Sequence, residues 1–135
     1  MSTRVLFALC FAMLAVASVS GCAEGSALVV GEARPAIEDW SSVVLLTEMP
    51  EGAEEIAIVK ASSDSGMTQQ QSLDYAVEEL KRQAAKVGAN AVILGSRSTA
   101  IQHVGVPVYS PQGTTTMVVP SEMEIVQGIA VYIGD

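Results

Sequence analysis

The sequence predicts an α+β fold: one main helix packed on a mixed β-sheet containing a βαβ crossover, with a β-hairpin before the last strand and an N-terminal signal helix. Three observations carry this expectation. Thr68–Leu94 reads as an amphipathic helix, a glycine stop and a buried strand in one run. Short β-prone runs flank that unit on both sides. A chain of 135 residues has room for a single core, so these elements share one domain.

The chain begins with Arg4, an apolar run Val5–Val19 and the small residues Ser20-Gly21 before Cys22. A positive residue, a short apolar core and a small-residue end are the marks of a secretory signal, and the run is shorter than the roughly 20 residues a membrane span needs. Val19-Ser20-Gly21-Cys22 resembles the bacterial lipobox, in which the cysteine is acylated and becomes the new N-terminus. The expected organisation is a signal peptide over 1–21, a lipidated tether over 22–27 and a single α+β domain over 28–135. Buried lipid methylenes contribute about 0.8 kcal/mol each, so several chains on Cys22 anchor firmly. Ala23 stands where an aspartate marks inner-membrane retention in Gram-negative lipoproteins, which points to the outer membrane, with the domain facing the periplasm.

Loss of residues 1–21 removes Arg4 and no acid, taking the formal net charge from −8 to −9. So acidic a domain repels polyanions, which argues against nucleic acid as a partner. Cys10 leaves with the signal and Cys22 is acylated, so no thiol remains for a disulfide, a metal or a nucleophile.

In chain order, Leu28–Glu32 is a first strand that ends at Arg34-Pro35, and Val43–Thr47 is a second, stopped by the turn cluster Met49-Pro50-Glu51-Gly52. Glu55–Ser62 follows, with Ile56 and Ile58 on one face and Ala57, Val59 and Ala61 on the other. Thr68 and Gln71 form a capping box for the helix. Leu73, Ala76, Val77, Leu80, Ala84 and Val87 make its apolar stripe, Glu78 and Arg82 an i,i+4 pair, and Gly88 its left-handed stop. The strand Asn90–Ser96 comes next. Strand, helix, strand at this spacing predicts that Ile56–Lys60 and Ala91–Leu94 run parallel with a right-handed connection.

Ser110-Pro111-Gln112-Gly113 is a hairpin turn between Val104–Tyr109 and Thr114–Val119, and Pro107 and Pro120 mark these as edge strands or a projecting ribbon. Glu124–Ile133 is the last strand. Its bulky face, Ile129, Val131 and Ile133, is expected beneath the helix. The small face, Gly128, Ala130 and Tyr132, then needs cover from the N-terminal segment with the hairpin or from another subunit.

The residues offer little for catalysis. His103 is the single histidine, and no G-x-S-x-G elbow, phosphate loop or dinucleotide fingerprint occurs. No cofactor and no metal site are expected; Glu54-Glu55 and Glu78-Glu79 read as solvated acids. Trp40, Tyr75, Tyr109 and Tyr132 are expected in the core or as interface anchors, and Arg34 in a structural salt bridge.

Four strings, GEARPAI (Gly31–Ile37), EEIAIVKASS (Glu54–Ser63), LKRQAAKVGANAVIL (Leu80–Leu94) and GIAVYI (Gly128–Ile133), resemble a group of bacterial lipoproteins. In βαβ pattern that group is related to the RcsF-type stress-sensor lipoproteins and the YbjQ-type, so-called heavy-metal-binding, domains. The resemblance implies a compact α+β domain and, for the YbjQ-type branch, a ring-like oligomer; it implies no catalytic residue. This chain departs from it in lacking the disulfides of the RcsF type and any thiol or histidine cluster. The functional expectation is an envelope lipoprotein, held to the membrane through lipid on Cys22. It would act without catalysis as a binding or assembly module, with a homo-oligomer or an envelope protein as partner. The alternatives are an envelope-stress sensor contacting a membrane protein, and a small hydrolase using an acid such as Glu54 or Glu55.

Overall fold

The computed structural model describes residues 23–134. The expected signal peptide and lipidated Cys22 therefore lie outside the described residues. The fold is α+β: one helix, α1 (Gln69–Lys86), packs on a mixed five-stranded sheet. Its strands are β1 (Ala23–Val29), β2 (Val44–Leu46), β3 (Glu54–Ser63), β4 (Ala91–Ser110) and β5 (Gly113–Tyr132), in the order β1-β3-β5-β4-β2. A short 3-10 turn, Trp40–Ser42, precedes β2.

The helix forms where its sequence signals place it. The Thr68 hydroxyl oxygen accepts from the Gln71 amide at 3.2 Å, and the Gln71 side chain accepts from the Met67 amide at 2.8 Å, so the capping box closes one residue further back than its simplest form. Gly88 ends the helix with φ +82°, and a Cβ there would fall 2.6 Å from the Arg34 backbone. Ala76, Leu80, Ala84 and Ala85 are buried beneath the helix, while Leu73, Val77 and Val87 pack at its flanks.

β3 and β4 each run antiparallel to β5, so they are parallel to one another, as the strand-helix-strand spacing predicts. They are not neighbours, however, because β5 is inserted between them. The parallel ladder is instead the short one between β2 and β4.

Three expectations need correction. Ala23–Ala27, expected as a tether, forms most of β1 and pairs with β3 from Ala23↔Ser63 to Ala27↔Val59. Its small residues suit a strand beneath the helix: a Cβ on Gly25 would collide with the Gln83 and Glu79 side chains. Secondly, the hairpin does not precede the last strand. It is the outer half of β4 and β5, which pair continuously from Ala91↔Val131 to Ser110↔Gly113.

Thirdly, the sheet faces are reversed. The helix lies on the small face, with Ala57, Val59, Ala61, Val126 and Ala130 buried against it and Tyr132 at its margin. Ala76, Ala84 and Ala85 supply an equally small helix surface, so the two layers approach closely and bulk is not needed between them. Ile129, Val131 and Ile133 face the opposite side, with Ala91 and Ile93. Cover there comes from Leu46 and Ala53, on either side of the Pro50 turn, rather than from the N-terminal segment or the hairpin.

Candidate functional site

Two bulges shape the helix-free face. The β3 register slips between Glu55 and Ala57, and that of β4 between Leu94 and Ser96. Both lie beside the same part of β5, where Ile58↔Ile129 and Leu94↔Gly128 are paired. The Ile56 carbonyl accepts from both the Val30 and Gly31 amides at 2.9 Å, which draws the chain after β1 against the bulge. A bulge bends its strand and opens the surface beside it. The result is an open groove of about 510 Å³ lined by Val30, Glu55, Ile58, Gly95, Ser96, Gln127, Gly128 and Ile129. Ile58 and Val30 remain 38% and 55% exposed, so the floor is apolar and accessible, with Glu55, Ser96 and Gln127 as its polar side chains. Gly128 lends only backbone to this wall: a Cβ there would point to the helix side, 2.5 Å from the Ile93 carbonyl oxygen and 2.7 Å from Val92 Cγ1.

Such a groove suits an apolar segment or chain, held by shape and burial rather than by charge. Glu54 and Glu55, as consecutive strand residues, point to opposite faces. Glu54 pairs with Arg34 at 2.6 Å, and the guanidinium carbon lies 3.8 Å above the centre of the Tyr132 ring. That hydrogen bond raises the Arg34 pKa further above its ordinary value. The sequence reading of Arg34 as a structural salt bridge matches this geometry.

The other sequence-selected residues disperse. His103 is exposed in the outer hairpin, opposite Pro120. Trp40 packs at the core margin beneath Arg82, 4.3 Å from its ring centre, and Arg82 also reaches Glu78 at 3.4 Å. Tyr75 and Tyr109 are surface residues, 37% and 80% exposed. Among the described residues, no group of three or more His, Cys, Asp or Glu gathers within reach of one metal ion.

Sequence reasoning missed Glu124. Its side chain is 1% exposed beneath the first turn of α1. It accepts from Thr99 Oγ1 at 2.8 Å, Gln69 Nε2 at 3.0 Å and Arg97 Nε at 3.2 Å. The Thr99 hydrogen bond, then those of Gln69 and Arg97, hold its pKa below the usual carboxylate range against the opposing effect of burial. With every partner supplied internally, Glu124 is a structural tie between the helix start and both long strands. The signal for it was the period-two face Glu124, Val126, Gly128, Ala130, which places the acid in line with the core.

No protein-family model and no curated protein matches the chain. Among solved structures it is similar to the crystal structure of a Francisella virulence factor, FvfA, at 16% identity and a TM-score of 0.45, over 80% of this chain and 97% of that one.

Proposed function

We propose that the protein is a membrane-anchored bacterial lipoprotein, acylated on Cys22, whose domain is a non-catalytic binding or assembly module of the cell envelope. The observation that carries this is the apolar run Val5–Val19 ending in Val19-Ser20-Gly21-Cys22. The open groove beside Ile58 and Ile129 supports a contact role, because its exposed apolar side chains offer surface to bury. Ala23 after the cysteine supports placement in the outer membrane. An envelope protein is the partner class the groove suits.

Incorporation of radiolabelled palmitate tests the anchor directly. Wild type is expected to take up label and to fractionate with membranes, and Cys22→Ala to do neither. Unlabelled wild type removes the proposal.

A further inference from the structure

We propose that the outer half of the β4–β5 hairpin is a second membrane contact, whose valine face rests on the lipid surface; this builds on the lipoprotein reading above. Between Arg97 and Glu122 there is no Asp, Glu, Lys or Arg, in a chain of net charge −8. Most of the acidic domain is repelled by anionic lipid headgroups; this stretch is not.

The register sorts its side chains. Val104↔Val119, Val106↔Met117 and Val108↔Thr115 share one side of the two-stranded ribbon. Val106 and Met117 are 42% and 56% exposed, so this side is an apolar surface with no cover among the described residues.

Position makes the bilayer the occupant. Ala23, Ser63, Glu124 and Thr99 form one row across four strands, and the free ribbon starts at the next row. Cys22 is bonded to Ala23 in that row. Two strand spacings, about 10 Å, separate β1 from the root of the ribbon in β5. An acyl group on Cys22 therefore brings the ribbon's base to the lipid.

The ribbon's edges narrow the choice further. Proline has no amide hydrogen, so within an unbroken ladder its nitrogen faces away from the paired strand. Pro107 interrupts the free edge of β4 and Pro120 that of β5. Another strand, from a second copy or a partner, cannot zip along either side. The remaining edge amides and carbonyls still need water, which excludes spanning the hydrocarbon and leaves the ribbon lying at the headgroup boundary.

The test uses the full lipoprotein purified from membranes and placed in phosphatidylethanolamine vesicles doped with a diazirine-bearing phospholipid. After photolysis, labelled peptides are mapped by mass spectrometry, and acylation of Cys22 is read on the same sample. Wild type is expected to carry lipid label within residues 100–123. In the Val106→Asp/Met117→Asp variant that label falls about tenfold or more, because a charge on a lipid-facing strand is costly. An unchanged circular-dichroism melt shows that the variant is folded. An acylated wild type with an unlabelled ribbon overturns the inference, as does cross-linking of ribbon to ribbon between copies without lipid label. A labelled ribbon on a protein whose Cys22 carries no acyl group supports the ribbon contact and overturns the anchoring reading instead.

Discussion

The inner and outer halves of the β4–β5 hairpin share one unbroken antiparallel register, yet they are built to opposite rules. In the inner half, β3 pairs along the other side of β5, the helix covers one face, and Val92, Val126 and Ala130 are almost wholly buried. In the outer half, no third strand pairs and no helix covers it among the described residues, and Ile101, Met117 and Val118 are more than half exposed. Hydrogen bonding between two strands does not distinguish a core from a surface; what lies above and beside the ladder does. The difference teaches that apolar content alone does not locate the core of this protein. The inner half uses small residues under a close helix, and the outer half uses valines that no described residue covers.

Truncating the cover should have the largest effect. Leu80→Ala removes the helix side chain at the centre of the inner face, 0% exposed, and is expected to cost about 2–5 kcal/mol in denaturant unfolding. A cost below about 1 kcal/mol would show that the inner half does not depend on the helix, and the contrast between the halves would collapse.

Glu124 stands at the boundary between the two halves, so it sharpens the comparison. Glu124→Ala strands Thr99, Gln69 and Arg97 and is expected to cost about 2–3 kcal/mol at neutral pH. The pH dependence has a definite sign. A carboxylate whose folded pKa is lowered stabilises the fold above its unfolded value of about 4.3, and that contribution is lost as pH falls through the lower folded value. The stability gap between wild type and Glu124→Gln should therefore narrow on acidification from about pH 4 downward. A gap that widens there would mean the carboxylate is not held in its charged form.

The smallest effect is expected on the ribbon. Val106→Asp/Met117→Asp in a form lacking residues 1–22 should move unfolding stability by no more than about 0.5 kcal/mol, since both side chains already face solvent. A loss above about 2 kcal/mol would place them in a packed interface and erase the distinction between the halves.

Much of this was legible in the sequence because it is local. The helix, its Thr68 cap and its Gly88 stop follow from spacing within a few residues, and so does the Ser110–Gly113 turn. The face of the sheet that meets the helix was not legible. Bulky Ile129, Val131 and Ile133 suggested a core beneath the helix, but helix and sheet both present alanine, and only the packed layers reveal that choice. Pro107 and Pro120 marked edge strands or a projecting ribbon, but the continuity of that ribbon with the inner strands was not legible; a two-stranded ribbon tolerates proline wherever its nitrogen faces outward. Glu124 depends on partners 55, 27 and 25 positions away, beyond any local pattern. The groove depends on two bulges, each a single extra residue whose effect appears only in the register.

β1 starts at Ala23 and enters its ladder at once, opposite Ser63. A leash of flexible residues would let a tethered domain tumble and sample partners at many heights. Under the proposed acylation of Cys22 the anchor would be bonded directly to the first residue of that ladder, and the sheet would become a fixed arm with a set attitude. A partner of such an anchored module would have to arrive at that height and angle, and inserting a short Gly-Ser spacer before Ala23 would convert a positioned module into a drifting one.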